Sequence, residues 1–238
     1  MTDRPENGFP WPGLSFWHAS KSTVAMDLHN LRREYAATPI DVDSVDPCPF
    51  KQFEAWFAEA NAQELPEPNA MVVSTVGEDN RPTQRTVLLK YFDKSGFVFF
   101  TNYESRKAKQ ISGNENISLL FPWYPLQRQV EVNGIAEKVS AADSLKYFAL
   151  RPRGSQLGAW VSQQSSVVSS RSLLQNKLAE LKQKFAKGQV PKPPAWGGFR
   201  VKPSRIEFWQ GGQDRLHDRI EYTHSTGNKT WTRQRLSP

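Results

Sequence analysis

The sequence predicts a mainly β protein with flanking helices, an α+β chain whose strands close into an antiparallel barrel. Three observations predict it. Short strand-like runs succeed one another from residue 70 to 139 and again from 198 to 236. The connections between them are tight and rich in Gly, Asp and Asn. The regular strand–helix alternation of a parallel, doubly wound sheet is missing.

Residues 1–30 contain Pro, Trp and Ser without periodicity and read as a mobile or loosely docked arm, so the domain itself is expected over 28–238 and the arm over 1–27. A short helix is expected over 28–37. Phe50, Phe53, Trp56, Phe57 and Ala60 fall at helical spacing, which predicts an amphipathic helix over 49–64, ended by Pro66 and Pro68. Ala70–Val76 and Gln84–Phe92 are expected strands around the turn 77–82. Asp93-Lys94-Ser95-Gly96 then turns the chain into a strand at Phe97–Thr101. Ser105 is placed to cap a helix through Ser112. Strands follow at Asn116–Trp123 and Gln127–Val139. A helix starts near Ser140 and ends at Leu150, before Arg151-Pro152. Leucines at 173, 174, 178 and 181 mark a helix over about 170–186, and strands close the chain near 198–210, 217–224 and 230–236.

The 238 residues are 38% hydrophobic and include 8 Trp and 14 Phe, enough for a large core. No apolar run is long enough to span a bilayer, and the first residues lack the features of a signal or transit peptide. The single cysteine, Cys48, leaves no internal disulfide and no cysteine metal site. A cytoplasmic protein is the expectation. Net charge is +7, unevenly placed: residues 1–60 carry five Lys/Arg against nine Asp/Glu, a net of −4, so the remainder carries +11. Such an excess suits nucleic acid or a small anionic ligand. The basic residues are dispersed among apolar strand residues, and no zinc-finger or RNP-like motif occurs, which favours the small ligand. Neither glycine-rich nucleotide fingerprint is present, so any nucleotide is held by side chains.

Four clusters carry the chemistry. Arg215, His217 and Arg219 alternate with Leu216 and Asp218, so in an extended run all three share one face. A row of fixed positive charge suits a planar anion, and the same run also suits a solvated, salt-bridged strand. In Arg85-Thr86-Val87-Leu88-Leu89-Lys90, alternation sends Arg85 one way and Lys90 the other, either into ligand sites or into solvent. Ser105-Arg106-Lys107 puts two cations in the first turn of a helix, where they oppose the dipole. A phosphate there would compensate them, unless the helix is merely a solvated one. Tyr147 and Arg151 lie one helical turn apart, with Ser155 expected in the loop beyond. That group reads as a second phosphate grip or a polar loop. No metal-ligand spacing and no serine nucleophile elbow are visible. Of the four histidines, only His217 has cationic neighbours.

These runs, together with Gln164-Ser165-Ser166, Pro194-Ala195-Trp196-Gly197-Gly198-Phe199, Glu207-Phe208-Trp209-Gln210 and the ending Arg235-Leu236-Ser237-Pro238, strongly resemble the pyridoxamine 5′-phosphate oxidase family over residues 28–238. The resemblance implies an FMN-binding split barrel acting as a homodimer, with FMN at the subunit interface and no role for nucleic acid or membrane. The implied reaction oxidises pyridoxamine 5′-phosphate or pyridoxine 5′-phosphate to pyridoxal 5′-phosphate. Hydride passes from C4′ to the flavin, oxygen reoxidises the flavin to give hydrogen peroxide, and the amine substrate also releases ammonia. Another split-barrel flavoprotein such as a flavin reductase, or a non-catalytic binder of FMN or pyridoxal phosphate, are the alternatives.

By position, the resemblance assigns Arg85, Thr86, Val87, Leu88, Phe100, Thr101, Arg106, Lys107, Gln129, Gln164, Ser165, Trp209 and Arg219 to FMN. It assigns Lys90, Tyr147, Arg151 and Ser155 to the substrate phosphate. Arg215 and His217 are the implied catalytic pair over the substrate ring, and Arg32 and Tyr35 close over the substrate from the N-terminal side.

Overall fold

The computed structural model describes residue 31 and residues 34–224 and 230–238. The arm at 1–27, Arg32 and half of the expected helix at 28–37 lie outside these. Leu31 and Glu34–Ala37, the described part of that expected helix, are not helical.

Helix α1 (Pro49–Ala62) begins on a proline at its first position, where a missing N–H costs nothing. It buries Phe50, Phe53, Trp56 and Ala60, the face that the spacing predicted. Phe53 is the hub of the core: its ring meets Phe92, Phe97 and Phe121 edge-on at 4.9, 5.0 and 4.9 Å. Burying one such ring stabilises the fold by about 1.5–3 kcal/mol.

Among the described residues nine strands form one sheet. They are β1 (Ala70–Val76), β2 (Pro82–Leu88), β3 (Tyr91–Asp93), β4 (Gly96–Asn102), β5 (Asn116–Trp123), β6 (Arg128–Lys138), β7 (Trp196–Gln210), β8 (Asp218–His224) and β9 (Trp231–Leu236). The main path is β2-β1-β5-β6-β7-β4-β3, with β8 on β7 and β9 on β8. Every pair is antiparallel. Strand β7 is shared: its first half pairs with β4 and its second half with β8, while β6 runs along both. Gly96 takes φ +130° in the β3–β4 turn, a region closed to side-chain-bearing residues. Gly134 sits at the β6–β7 register shift, where a side chain would strike the Lys202 carbonyl.

The strand expected over Gln84–Phe92 is broken. Strand β2 stops at Leu88, and β3 starts at Tyr91. The reason is closure. β2 and β3 are the two ends of the path, yet only Leu89 and Lys90 connect them. The sheet therefore has to curl until its edges approach: the Leu89 N–H still donates to the Asn69 carbonyl beside β1 at 2.8 Å, while the next one, of Lys90, donates to the Val98 carbonyl of β4 at 2.8 Å. One straight strand could not belong to both edges.

The helices flank the sheet: α2 (Arg106–Gly113), α3 (Ala141–Leu150), α4 (Arg153–Val161) and α5 (Arg171–Lys184). Ser105 caps α2 by accepting from the Ala108 N–H, and Ser140 and Ser170 do the same for α3 and α5. Helix α4 was not foreseen. It carries no side-chain cap and follows Pro152, which presets the turn into it.

Candidate functional site

A cavity of about 500 Å³ opens at the seam. The end of β2 lines it with Thr86, Val87 and Leu88, and the seam adds Lys90. Strand β4 contributes Phe100 and Thr101, α2 Lys107, and the end of α3 Tyr147 and Arg151; Ser155 and Gln164 complete the predicted set. Trp196 and Pro152 also line it, and neither was assigned a role from sequence.

Lys107 is buried, with 7% of its surface exposed, and donates to Thr101 Oγ1 at 3.0 Å and Gln164 Oε1 at 2.9 Å. Both partners are neutral. Burial, and secondarily the nearby Arg85 guanidinium, lower its pKa to about 8. Burial and then Arg106 lower that of Arg85 as well. Among the described residues no carboxylate forms an ion pair with Arg85, Arg106, Lys107 or Arg151. Mutually destabilised cations without a counter-ion mark an anion site. Arg106 and Ser165 lie on an adjoining cleft that shares Gln164 with the cavity, and the Arg106 N–H donates to Ser165 Oγ at 3.3 Å. Arg106 and Lys107 open α2, where the sequence suggests either a phosphate grip or a solvated helix start.

A consequence follows for pH. Between about pH 8 and the ordinary 10.5, unfolded Lys107 holds a proton that the folded apoprotein has released, so apoprotein stability rises with pH through that window. A bound phosphate dianion favours the charged amine and reverses the shift. Above about pH 8, ligand binding must therefore take up a proton, and FMN affinity is expected to fall with rising pH. Calorimetric titrations in buffers of different ionisation enthalpy measure that uptake. An affinity flat from about pH 7 to 9.5 would take Lys107 out of the phosphate site.

The Tyr147–Arg151 group in the cavity is built on aromatics. Phe100 stacks on Tyr147 at 4.1 Å and on Trp196 at 5.2 Å, and the Arg151 guanidinium lies over the Trp196 ring at 4.8 Å. Burial lowers the Arg151 pKa, and its buried Nη1 has no hydrogen-bond partner. Such an orphaned donor is costly unless a ligand completes it. Ser155 was expected in a loop; it sits in the first turn of α4. The Ser155 and Gln156 N–H groups already donate to the Pro152 carbonyl, at 2.8 and 3.0 Å, so what Ser155 offers a ligand is its hydroxyl.

The remaining predicted residues form a separate group. Gln129 pairs with Trp209 and Trp209 with Arg219, one row across β6, β7 and β8. Tyr35, Trp209 and His217 cluster, with ring centroids 4.7 to 5.8 Å apart. The expectation that Arg215, His217 and Arg219 share one face of an extended run is wrong. Gln213–Arg215 is a short 3-10 turn, and Asp214 and Arg215 are left-handed at φ 52° and 62°. Two successive non-glycine residues in that region cost roughly 1–2 kcal/mol each. The turn is closed by the Gly212 N–H, which donates to His217 Nδ1 at 3.1 Å. In the neutral ring Nε2 then carries the hydrogen. Arg215 is exposed, whereas Arg219 is chelated by Glu207 at 2.8 and 3.0 Å and donates to the Ser237 carbonyl.

Phe100 pairs with Gly198 and Gln129 with Trp209. These anchor points are eleven residues apart on β7, about 36 Å along the strand at about 3.3 Å per residue. Phe100 and the Gln129–Trp209–Arg219 row thus sit toward opposite ends of β7.

A curled antiparallel sheet with a phosphate grip of side chains, and no glycine-rich loop, defines a split-barrel flavin-binding protein. The comparisons with known proteins agree. The chain belongs to the pyridoxamine 5′-phosphate oxidase family: the family's profile matches residues 57–185, and the pyridoxine 5′-phosphate oxidase C-terminal dimerisation region matches residues 196–238. It is 58% identical over 214 residues to a pyridoxine/pyridoxamine 5′-phosphate oxidase of Crocosphaera subtropica, covering 90% of this chain and all of that one. The corresponding protein of Aliarcobacter butzleri is 56% identical over 213 residues, with the same coverage. Among solved structures, PhzG from Burkholderia lata in complex with tetrahydrophenazine-1-carboxylic acid superposes with a TM-score of 0.80 at 26% identity, covering 87% of this chain and 100% of that one. A pyridoxamine 5′-phosphate oxidase-related, FMN binding protein from Nostoc punctiforme superposes with a TM-score of 0.65 at 14% identity, covering 80% of this chain and 97% of that one. No helix among the described residues is long and apolar enough to cross a membrane.

Proposed function

We propose that this protein is an FMN-dependent oxidase. It converts pyridoxamine 5′-phosphate or pyridoxine 5′-phosphate to pyridoxal 5′-phosphate, with molecular oxygen as acceptor and hydrogen peroxide as product. The observation that carries the reading is a pair of cation groups around one cavity: Lys107 in its wall, with Arg85 beside it and Arg106 on the adjoining cleft, and Arg151 with Ser155. A flavin reductase or a simple carrier of FMN needs only the first. Bound FMN, held by the residues named below, would supply the redox chemistry that the oxidation of C4′ by oxygen requires.

The protein's part is placement. Lys107, Arg85, Arg106 and Ser165 hold the cofactor phosphate, while Thr86, Val87, Leu88, Phe100, Thr101 and Gln164 line its seat. Lys90, Tyr147, Arg151 and Ser155 hold the substrate phosphate. Because the row group lies so far along β7, a second copy of the chain supplies Gln129, Trp209 and Arg219 to the flavin and Arg215 and His217 to the substrate. Tyr35 packs on Trp209 and His217 and would cover the substrate from that side. Fixing the donor carbon about 3–3.5 Å from its acceptor is the largest service such residues offer. A cytoplasmic location remains part of this reading, on the single-cysteine composition that suggested it.

The test is turnover. The purified protein is expected to be yellow and to form pyridoxal phosphate and peroxide in equal amounts from pyridoxine phosphate. Flavin binding without turnover would leave only a carrier. The Arg151→Ala variant is expected to keep FMN while its KM for pyridoxine phosphate rises about 10- to 150-fold, the equivalent of a charged hydrogen bond of about 1.5–3 kcal/mol. Loss of FMN with unchanged KM would move Arg151 to the cofactor site.

A further inference from the structure

Behind the cofactor grip lies a polar network that the reaction itself does not use. Thr75 and Thr83 face each other across the β1–β2 ladder, and Thr75 is fully buried. Arg85 donates through Nη1 to Thr75 Oγ1 at 2.7 Å and to the Val73 carbonyl at 3.1 Å, and through Nη2 to Thr83 Oγ1 at 2.6 Å. Each hydroxyl in turn donates to Gln110 Oε1, at 2.7 Å from Thr75 and 2.8 Å from Thr83. A hydroxyl has one proton to give. With both protons directed at Gln110, both threonines are left as acceptors facing the guanidinium.

We propose that Thr75, Thr83 and Gln110 are positioning residues that hold Arg85 in the cofactor-phosphate grip beside Lys107 and Arg106. The proposal rests on the assignment of that grip given above. Three converging cations repel one another, and an apoprotein free to relax would spread them. A carboxylate would hold Arg85 more strongly, but it would cancel the charge that the phosphate needs. Two hydroxyls and an amide oxygen hold it without adding charge. Gln110 lies on α2, the helix that also carries Arg106 and Lys107, so the bracket locks that helix to β1 and β2 as well. The grip is therefore assembled before the ligand arrives, and less of the binding free energy goes into ordering it.

The experiment compares FMN with riboflavin, which lacks the phosphate, by quenching of flavin fluorescence on the apoprotein. Thr83→Val keeps the shape of the side chain and removes both hydrogen bonds. It is expected to lower the FMN-to-riboflavin affinity ratio about tenfold, with riboflavin binding unchanged. Thr83→Ser is expected to keep the wild-type ratio, and Gln110→Met to lower it like Thr83→Val. In an Arg85→Gln background, Thr83→Val is expected to add nothing, since the group it positions is gone. An unchanged ratio in both Thr83→Val and Gln110→Met overturns the proposal. So does an equal loss of both flavins, which would mean a purely structural network. If the wild-type protein itself does not prefer FMN to riboflavin, the grip assignment fails and the proposal falls with it.

Discussion

Replacing Lys107 with methionine will weaken FMN binding by about 10- to 150-fold and will raise the melting temperature of the apoprotein. The two effects have opposite signs because they come from two states of one charge. With phosphate bound, the ammonium makes a charged hydrogen bond of about 1.5–3 kcal/mol. Without it, the same ammonium is buried among neutral partners, with burial and Arg85 both working against its charge. Methionine fills much of the space and carries no charge to desolvate. Gln164 Oε1 keeps an acceptor's role, because the Thr101 hydroxyl also donates to it at 2.9 Å. Each kcal/mol recovered raises the melting temperature by roughly 2–4 °C in a domain of this size. Differential scanning fluorimetry of the apoprotein and flavin titration on the same preparation test both halves. A variant destabilised in the apo form and normal in FMN binding would make Lys107 a structural residue.

The second large effect concerns the assembly. Two inactive variants are expected to restore activity when their subunits are mixed. One carries Lys107→Met with Arg151→Ala in the cavity group, the other Arg215→Ala with His217→Ala near the β7 end. If a site draws its cavity from one copy and its row from the other, a mixed dimer has one intact site and one doubly altered site. Random exchange makes half the dimers mixed, so about a quarter of wild-type activity returns. If both groups served one site within a chain, no mixed dimer would hold an intact site and nothing would return. Co-expression with two affinity tags isolates the mixed species. The geometric ground is the placement of Phe100 and Trp209 toward opposite ends of β7, and the C-terminal dimerisation region at 196–238 gives the family's precedent.

Local pattern carried much of this molecule. The apolar spacing in 49–64 specified α1 and its buried face, because helical periodicity is written in the residues themselves. Ser105 announced α2, and Asp93–Gly96 announced the β3–β4 turn, for the same local reason. The misreadings share another cause. The alternation in Gln84–Phe92 gives no hint that Leu88 and Tyr91 belong to opposite edges of a closed sheet. Arg151-Pro152 stops α3, yet a fresh helix starts at once, with Ser155 in its first turn. At Asp214 and Arg215, alternation favoured an extended run, and the bond from Gly212 to His217 Nδ1 turned it instead. Thr75, Thr83 and Gln110 left no signal at all, since their meeting depends on strand register and on the seat of α2.

The sequence by itself determined the fold class, the order of nearly all the elements and, through its long motifs, the family, and it singled out the candidate residues for its chemistry. Those properties lie in periodicity, turn chemistry and residue identity, which need no third dimension. Only the tertiary structure decided which of those residues meet. Closure of the sheet brings the end of β2 to β4 and makes the cavity, while the length of β7 holds Trp209 and Arg219 away from it. Both are distances between residues remote in sequence, and they arise from strand pairing, which no local pattern encodes.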